Sequence, residues 1–414
     1  MITRYLTAMV EQALWAVLNL GVNLLLIRLI APDQYGAFAF WAACGFVLSS
    51  LQNAVSICHF QVIPPGSGLE PHRLQVERLM HGVNAVFLVM VAVVAFGLSA
   101  GFGHFEPGLA APAAALYLPG FLLQQYFRAL AFSRGRPLDA TIQTALTLAC
   151  AIGFLGVALL VFKILTANEI LAVLGLAYGV VGLGAGVRVI LPQLAAPDWP
   201  RLGRYRGYLK QSGWIFLGVA STEILARFYA FVTPISFSPG VLASLSATNL
   251  TMRPINLLAA SWSMVARPDL VHRLHRGDKS GVERSLALAL AGGLVISAVW
   301  AGVIYMAWPL IAERGFAGRY GADRWMLAGW SIAVAIQLCQ VVLSSGIQAF
   351  RAFKPLALAN AAASVVAIFA VLAGTHWLGP GGAIAGTAVG GAAELAVMAV
   401  VLAALLRPKT AAVA

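Results

Sequence analysis

Runs of about twenty mainly apolar residues recur along the whole chain, each long enough to cross a hydrocarbon core of about 30 Å as a helix. Twelve such spans are predicted, near 9–30, 37–60, 82–101, 110–132, 139–162, 169–191, 213–233, 240–264, 285–308, 324–349, 355–375 and 381–405. An even number returns both ends of the chain to one side. Loops on the other side are too short for a folded domain, the longest lying near 309–323. The first apolar run has no small-residue cleavage site after a short core, so it reads as an uncleaved span.

The polar positions inside these runs carry the next layer of information. "EQALWAVLNLGVNLLLIRLIAPDQYGAFAF" (11–40) is a span that holds Glu11, Gln12, Asn19, Asn23 and Arg28. Gln12, Asn19 and Asn23 fall on one helical face, which must turn away from lipid. Span seven holds Glu223 and, one turn later, Arg227, a favourable order for a helical ion pair, with Glu223 near mid-membrane. In span eight, Ser246, Asn249, Arg253 and Asn256 form a polar stripe. Pro254 follows Arg253 directly and is expected to kink the helix and free a carbonyl. Softer signals are Gln124, Gln125 and Arg128 in span four, Gln337 and Gln340 in span ten, Asn360 in span eleven and Glu394 in span twelve. Ionisable groups in spans cost about 2.5–3.5 kcal/mol on insertion scales, so they mark where function should be sought. Each also has a bland reading, namely bonds that hold the bundle together or, for Arg28, a side chain reaching the interface.

Composition agrees with the pattern. Sixty per cent of residues are hydrophobic and only 10% charged, against roughly 25% charged in soluble domains. The net charge of +12 is explained by the positive-inside rule rather than by nucleic acid. With an inside N-terminus, 19 of the 27 Lys and Arg residues fall on the inner side. Arg28, Lys163, Arg314, Arg319 and Arg324 lie at outer ends, and Arg188, Arg227 and Arg253 lie within spans. The basic, aromatic segment "DWPRLGRYRGYLKQSGW" (198–214) falls midway, and the hairpins "LIAPDQYGAFAF" and "PISFSPGVLASL" open the two halves alike. The expected architecture is therefore an all-α polytopic membrane protein of about twelve helices in two six-helix lobes around a central cavity. Both termini are cytoplasmic. The lobes are 1–197 and 213–414, joined by a linker at 198–212.

Arginine suits phosphate because its planar fork donates two parallel hydrogen bonds and stays charged. Arg227 and Arg253, with Arg28 toward the outer end, could hold a diphosphate. Gln12, Asn19, Asn23, Gln124, Asn249 and Asn256 suit sugar hydroxyls or cavity water. Glu223 and Glu394 are candidates for switching or coupling. The four cysteines, all in apolar runs, read as small packed side chains rather than metal ligands or disulfides. There is no Walker motif, no pair of outer-loop carboxylates and no Ser–His–Asp arrangement, so neither an enzyme activity nor a cofactor is expected.

These residues carry a family resemblance. "LIRLIAPDQYGAFAF" resembles the hairpin between spans one and two in the polysaccharide transporter, O-antigen flippase branch of the multidrug/oligosaccharidyl-lipid/polysaccharide exporter superfamily, through Arg28, Pro32, Tyr35 and Gly36. Residues 240–274 resemble the family's pattern in the second half through Gly240, Pro254 and Pro268. The resemblance implies a flippase in the bacterial inner membrane. It would move undecaprenyl-diphosphate-linked oligosaccharide repeat units by alternating access, for O-antigen, capsule or exopolysaccharide synthesis. Membrane lipids and the polymerase and chain-length machinery are the implied partners, with the membrane potential, Na+ or H+ as candidate drives. Lipid II flippases of the superfamily usually carry extra spans, so twelve spans favour repeat units. The main rival is a cation-coupled multidrug exporter of the same fold. A membrane polymerase or glycosyltransferase would need larger outer loops. A major-facilitator transporter would need a charged motif that "QVIPPGSGLEPHRLQVERL" lacks.

Overall fold

The computed structural model describes residues 2–63, 70–162, 165–194 and 200–406, a helical structure with no strand among the described residues. Lys163, Arg407, Lys409 and the first two residues of the expected 198–212 linker lie outside the described residues. The main helices are α1 (Ile2–Leu29), α2 (Pro32–Gln52), α3 (Glu70–Phe105), α4 (Ala114–Ser133), α5 (Pro137–Phe162), α6 (Ala167–Leu194) and α7 (Leu209–Ser236). They continue with α8 (Pro239–Leu250), α9 (Arg253–His275), α10 (Lys279–Leu310), α11 (Met326–Ala349), α12 (Phe353–Leu378) and α13 (Pro380–Leu406). Ten helical segments among the described residues are long and apolar enough to cross a membrane. The two remaining expected spans are α4 and the broken pair α8–α9. Gln124, Gln125 and Arg128 lower the apolarity of α4, whereas Pro254 accounts for the break between α8 and α9.

Two compact units are formed. The first is Met1–Ala220 with Ser238–Ala243, and the second is Ser221–Phe237 with Ser244–Ala414. The described part of the expected linker packs on the first unit. A 3₁₀ turn at Leu202–Gly207 brings the Tyr205 hydroxyl to the Val55 carbonyl, 2.9 Å, and Ser212 lies 2.8 Å from His59 Nε2. Val55 sits in a π turn, Asn53–Ile57, that continues α2. Such a wide turn loosens backbone hydrogen bonding, and Tyr205 supplies a donor there. Burial holds the Tyr205 phenol above its usual pKa, so it remains a donor.

The expected third span, 82–101, is the apolar part of a 36-residue helix, about 54 Å long at 1.5 Å per residue. Its charged first turns are tied down through one buried carboxylate, Glu77. Glu77 accepts from Arg73 at 3.1 Å and also pairs with Arg134. Apolar counting stops at such charges, which is why the helix exceeds its predicted length.

Lipid tails are as apolar as leucine, so helix association in the bilayer rests on close packing by small residues. On α13, Gly382, Gly386 and Gly390 face α12 in successive turns. A Cβ at Gly386 would lie 2.5 Å from the Val371 backbone, and one at Gly390 would lie 2.4 Å or more from Ala367 atoms. Gly386→Val should therefore force the two helices apart and destabilise by about 1–3 kcal/mol, read as a lowered melting temperature in detergent. Gly302→Val, whose added atoms meet open space, should leave it unchanged.

Candidate functional site

Most of the polar residues singled out in the sequence fall into three clusters, one in the first unit and two in the second. In the first unit the organising pair joins α1 to α4. Glu11 is fully buried, and Arg128 grips it through both Nε and Nη2, at 2.5 and 2.9 Å. Thr144 on α5 donates to the same carboxylate at 2.8 Å. Arg128 Nη1 donates to Gln125 at 3.1 Å, and Gln125 donates in turn to buried Gln124 at 3.0 Å. The guanidinium also lies over the Trp15 ring, 4.9 Å from its centre. Of its five N–H bonds, three are used in these contacts, which leaves two to donate elsewhere.

Arg128 lines a polar cavity of about 290 Å³ with Ser49, Ser50, Asn53, Gln61 and Gln125. The π turn in α2 places Asn53 on this wall. No carboxylate is among the described lining residues, and Glu11 is buried against the arginine. The wall thus offers amides, hydroxyls and one guanidinium, a donor-rich surface suited to a hydroxylated or anionic group.

The predicted stripe on α1 is differently arranged. Asn19 Nδ2 donates to the Trp15 carbonyl at 2.9 Å, and Asn23 Nδ2 to the Asn19 carbonyl at 2.7 Å. Asn23 also accepts from the Tyr35 hydroxyl at 2.9 Å. Gln12 and Arg28 are exposed in this unit, while Glu11, one position off the stripe, is buried. At 100° per residue that single step moves the important side chain to another face.

The second unit holds a cluster around Tyr229. Glu223 accepts from Arg227 Nε at 2.8 Å, as the helical spacing predicts. Asn249 donates to the Tyr229 hydroxyl at 3.2 Å. Arg227 and Arg253 both act electrostatically on that hydroxyl. Tyr229 packs edge-on against buried Trp330, ring centres 5.0 Å apart. Asn249 contacts the phenol directly, Arg227 and Arg253 reach it through their charge, and Glu223 is held on Arg227. Arg253 is the first residue of α9, at the break that Pro254 allows. The Thr251 carbonyl at that break accepts from Trp300 Nε1 at 3.0 Å, so protein rather than water meets it. The break ends the continuous stripe expected through span eight, and Asn256 beyond it is exposed.

Glu394 forms a third cluster. Gln340 donates to it at 2.6 Å. The Asn360 amide satisfies its neighbours when its nitrogen donates to Glu394 at 2.8 Å and its oxygen accepts from Thr222 at 3.1 Å. The carboxylate is buried and ties three helices together. Arg28, Gln12, Asn19, Asn23 and Gln124 belong to the first unit, and Arg227, Arg253, Asn249, Asn256, Glu223 and Glu394 to the second. Sequence reasoning named Glu11 and Arg128 separately but not as a pair, and it passed over Tyr229. Lone opposite charges in two apolar spans were the available signal for the first pair.

No sequence-family model and no curated relative matches this chain. Solved structures do. A multidrug resistance MATE family transporter of the MOP superfamily, described in an inward-facing conformation, superposes with a TM-score of 0.74 at 14% identity over 98% of this chain and 100% of that one. The lipid II flippase MurJ, in an inward closed conformation, gives 0.76 at 12% identity over 97% and 88%. A eukaryotic MATE transporter gives 0.61 at 15% identity over 97% and 94%. The chain therefore has the fold of MOP-superfamily transporters.

Breaking the buried Glu11–Arg128 pair from one side strands a charge, at a cost of about 3–5 kcal/mol. Glu11→Ala and Arg128→Ala should each lower the melting temperature sharply. The double variant should lose much less than the sum of the two, a coupling that a double-mutant cycle reads directly.

Proposed function

We propose that this chain is a flippase that carries a lipid-linked oligosaccharide, joined to its polyprenyl carrier by a diphosphate, across a bacterial inner membrane. The observation that carries the reading is the Tyr229 cluster, where the charges of Arg227 and Arg253 both reach one phenol that Asn249 also contacts. Paired guanidiniums suit a diphosphate, and the amide and phenol suit the first sugar. The donor-rich cavity at Arg128 supports the same chemistry in the other unit, since it offers no lining carboxylate to a cationic drug. The fold shared with a lipid II flippase is compatible with a substrate of this class.

In this scheme Glu223 holds Arg227 until the diphosphate competes for it. Asn249 and Tyr229 orient the head group, and Arg28, Asn19, Asn23 and Asn256 serve the polar route. The inside-negative potential assists outward movement of an anionic head, by about 2.3 kcal/mol per charge per 100 mV. A second reading, a cation-coupled multidrug exporter, is favoured by buried Glu394 and by the shared MATE fold.

The test is genetic. In a host deleted for this gene, wild type should restore surface polysaccharide, while Arg253→Ala should leave repeat units trapped on the inner leaflet with the protein present at normal level. Normal polymer without the gene would favour the exporter, and cation-dependent efflux would then be measured.

A further inference from the structure

A second cavity, of about 450 Å³, lies on the side of the first unit, between α4, α5 and α6. Its wall is apolar and includes Ile142, Leu146 and Val180, all substantially exposed. Its rim carries three arginines, Arg134, Arg136 and Arg188, against one carboxylate, Asp139. Arg134 also pairs with Glu77, which is shared with Arg73, so the rim keeps an excess of positive charge. One further atom is unexplained by the fold. Gln143, on the same wall, has a buried Oε1 that accepts no hydrogen bond among the described residues.

A wall of exposed apolar side chains below a basic rim fits neither a soluble metabolite nor a bare hydrocarbon chain. It fits an amphiphile whose phosphate meets the rim and whose chain lies along the wall. Basic pockets between membrane helices bind anionic lipid head groups on this principle. A Cβ at Gly184, on the groove floor, would meet nothing within 4 Å, so the floor is open to the occupant.

We infer that the groove between α4, α5 and α6 is a lateral binding site for an anionic phospholipid, with phosphatidylglycerol as the probe. The site is separate from the Tyr229 cluster and does not depend on the transported substrate.

Native mass spectrometry of the purified full-length chain tests this, with phosphatidylglycerol and phosphatidylcholine of identical chains as probes. Phosphatidylglycerol should be retained preferentially. Each basic residue at a membrane surface changes affinity by roughly fivefold, so Arg136→Ala with Arg188→Ala should weaken binding roughly thirtyfold. Gly184→Leu should block the groove without disturbing the fold, checked by an unchanged melting temperature. Arg273→Ala, on α9, should have no effect. Equal retention of the two lipids, or unchanged binding in both groove variants, would overturn the inference. Displacement of the lipid by glycerol 3-phosphate at matched concentration would overturn it in favour of a free phosphate ester.

Discussion

A carboxylate inside an apolar bundle must find a cation or lose its charge, and the first unit is built around one that found it. Glu11 meets Arg128 across 117 residues of sequence, and Thr144 closes the third side. This ties α1, α4 and α5 at one point. It also holds the arginine at the wall of a cavity lined by serines and amides. Desolvation of two ions is expensive, and two apolar residues could fill the space without that penalty. Keeping both charges makes sense where a guanidinium is wanted at the cavity wall, with its charge balanced from behind.

The second unit applies the same constraint with the balance tipped. Glu223 answers Arg227, while Arg253 brings a further positive charge to the same phenol. The break at Thr251 and Met252 makes that placement available. Arg253 begins a new helix there and is not locked inside a continuous one. Backbone groups released by the break are met locally, as Trp300 does for Thr251. Irregular backbone at membrane depth is tolerated only where protein or a wet cavity satisfies it. Glu394 is the contrasting case, a carboxylate held by neutral amides rather than by a cation.

Much of this was legible in the sequence, and the rest was hidden for identifiable reasons. Apolar run length marks the long helices, and Pro254 announces the break in span eight. The Glu223–Arg227 pair follows from spacing alone, because both ends lie on one helix. The extent of α3 was not legible, since its charged turns are paired with Arg134, from the turn that follows α4. The Glu11–Arg128 pair is invisible to any local pattern, because its two members lie on different helices. Tyr229 carries no signal in the sequence, and only the fold brings Asn249 to its hydroxyl within reach of the charges of Arg227 and Arg253.

The central claim is that this fold moves a diphosphate-linked oligosaccharide across the bilayer through its arginine clusters. The most direct measurement reconstitutes the purified chain in liposomes that carry a fluorescent polyprenyl-diphosphate oligosaccharide in both leaflets. Reagent added outside then reads how much label becomes accessible with time. The account predicts that the inner pool becomes accessible with the wild-type chain and stays protected with Arg253→Ala. An inner pool equally protected with wild type, variant and empty liposomes would contradict it.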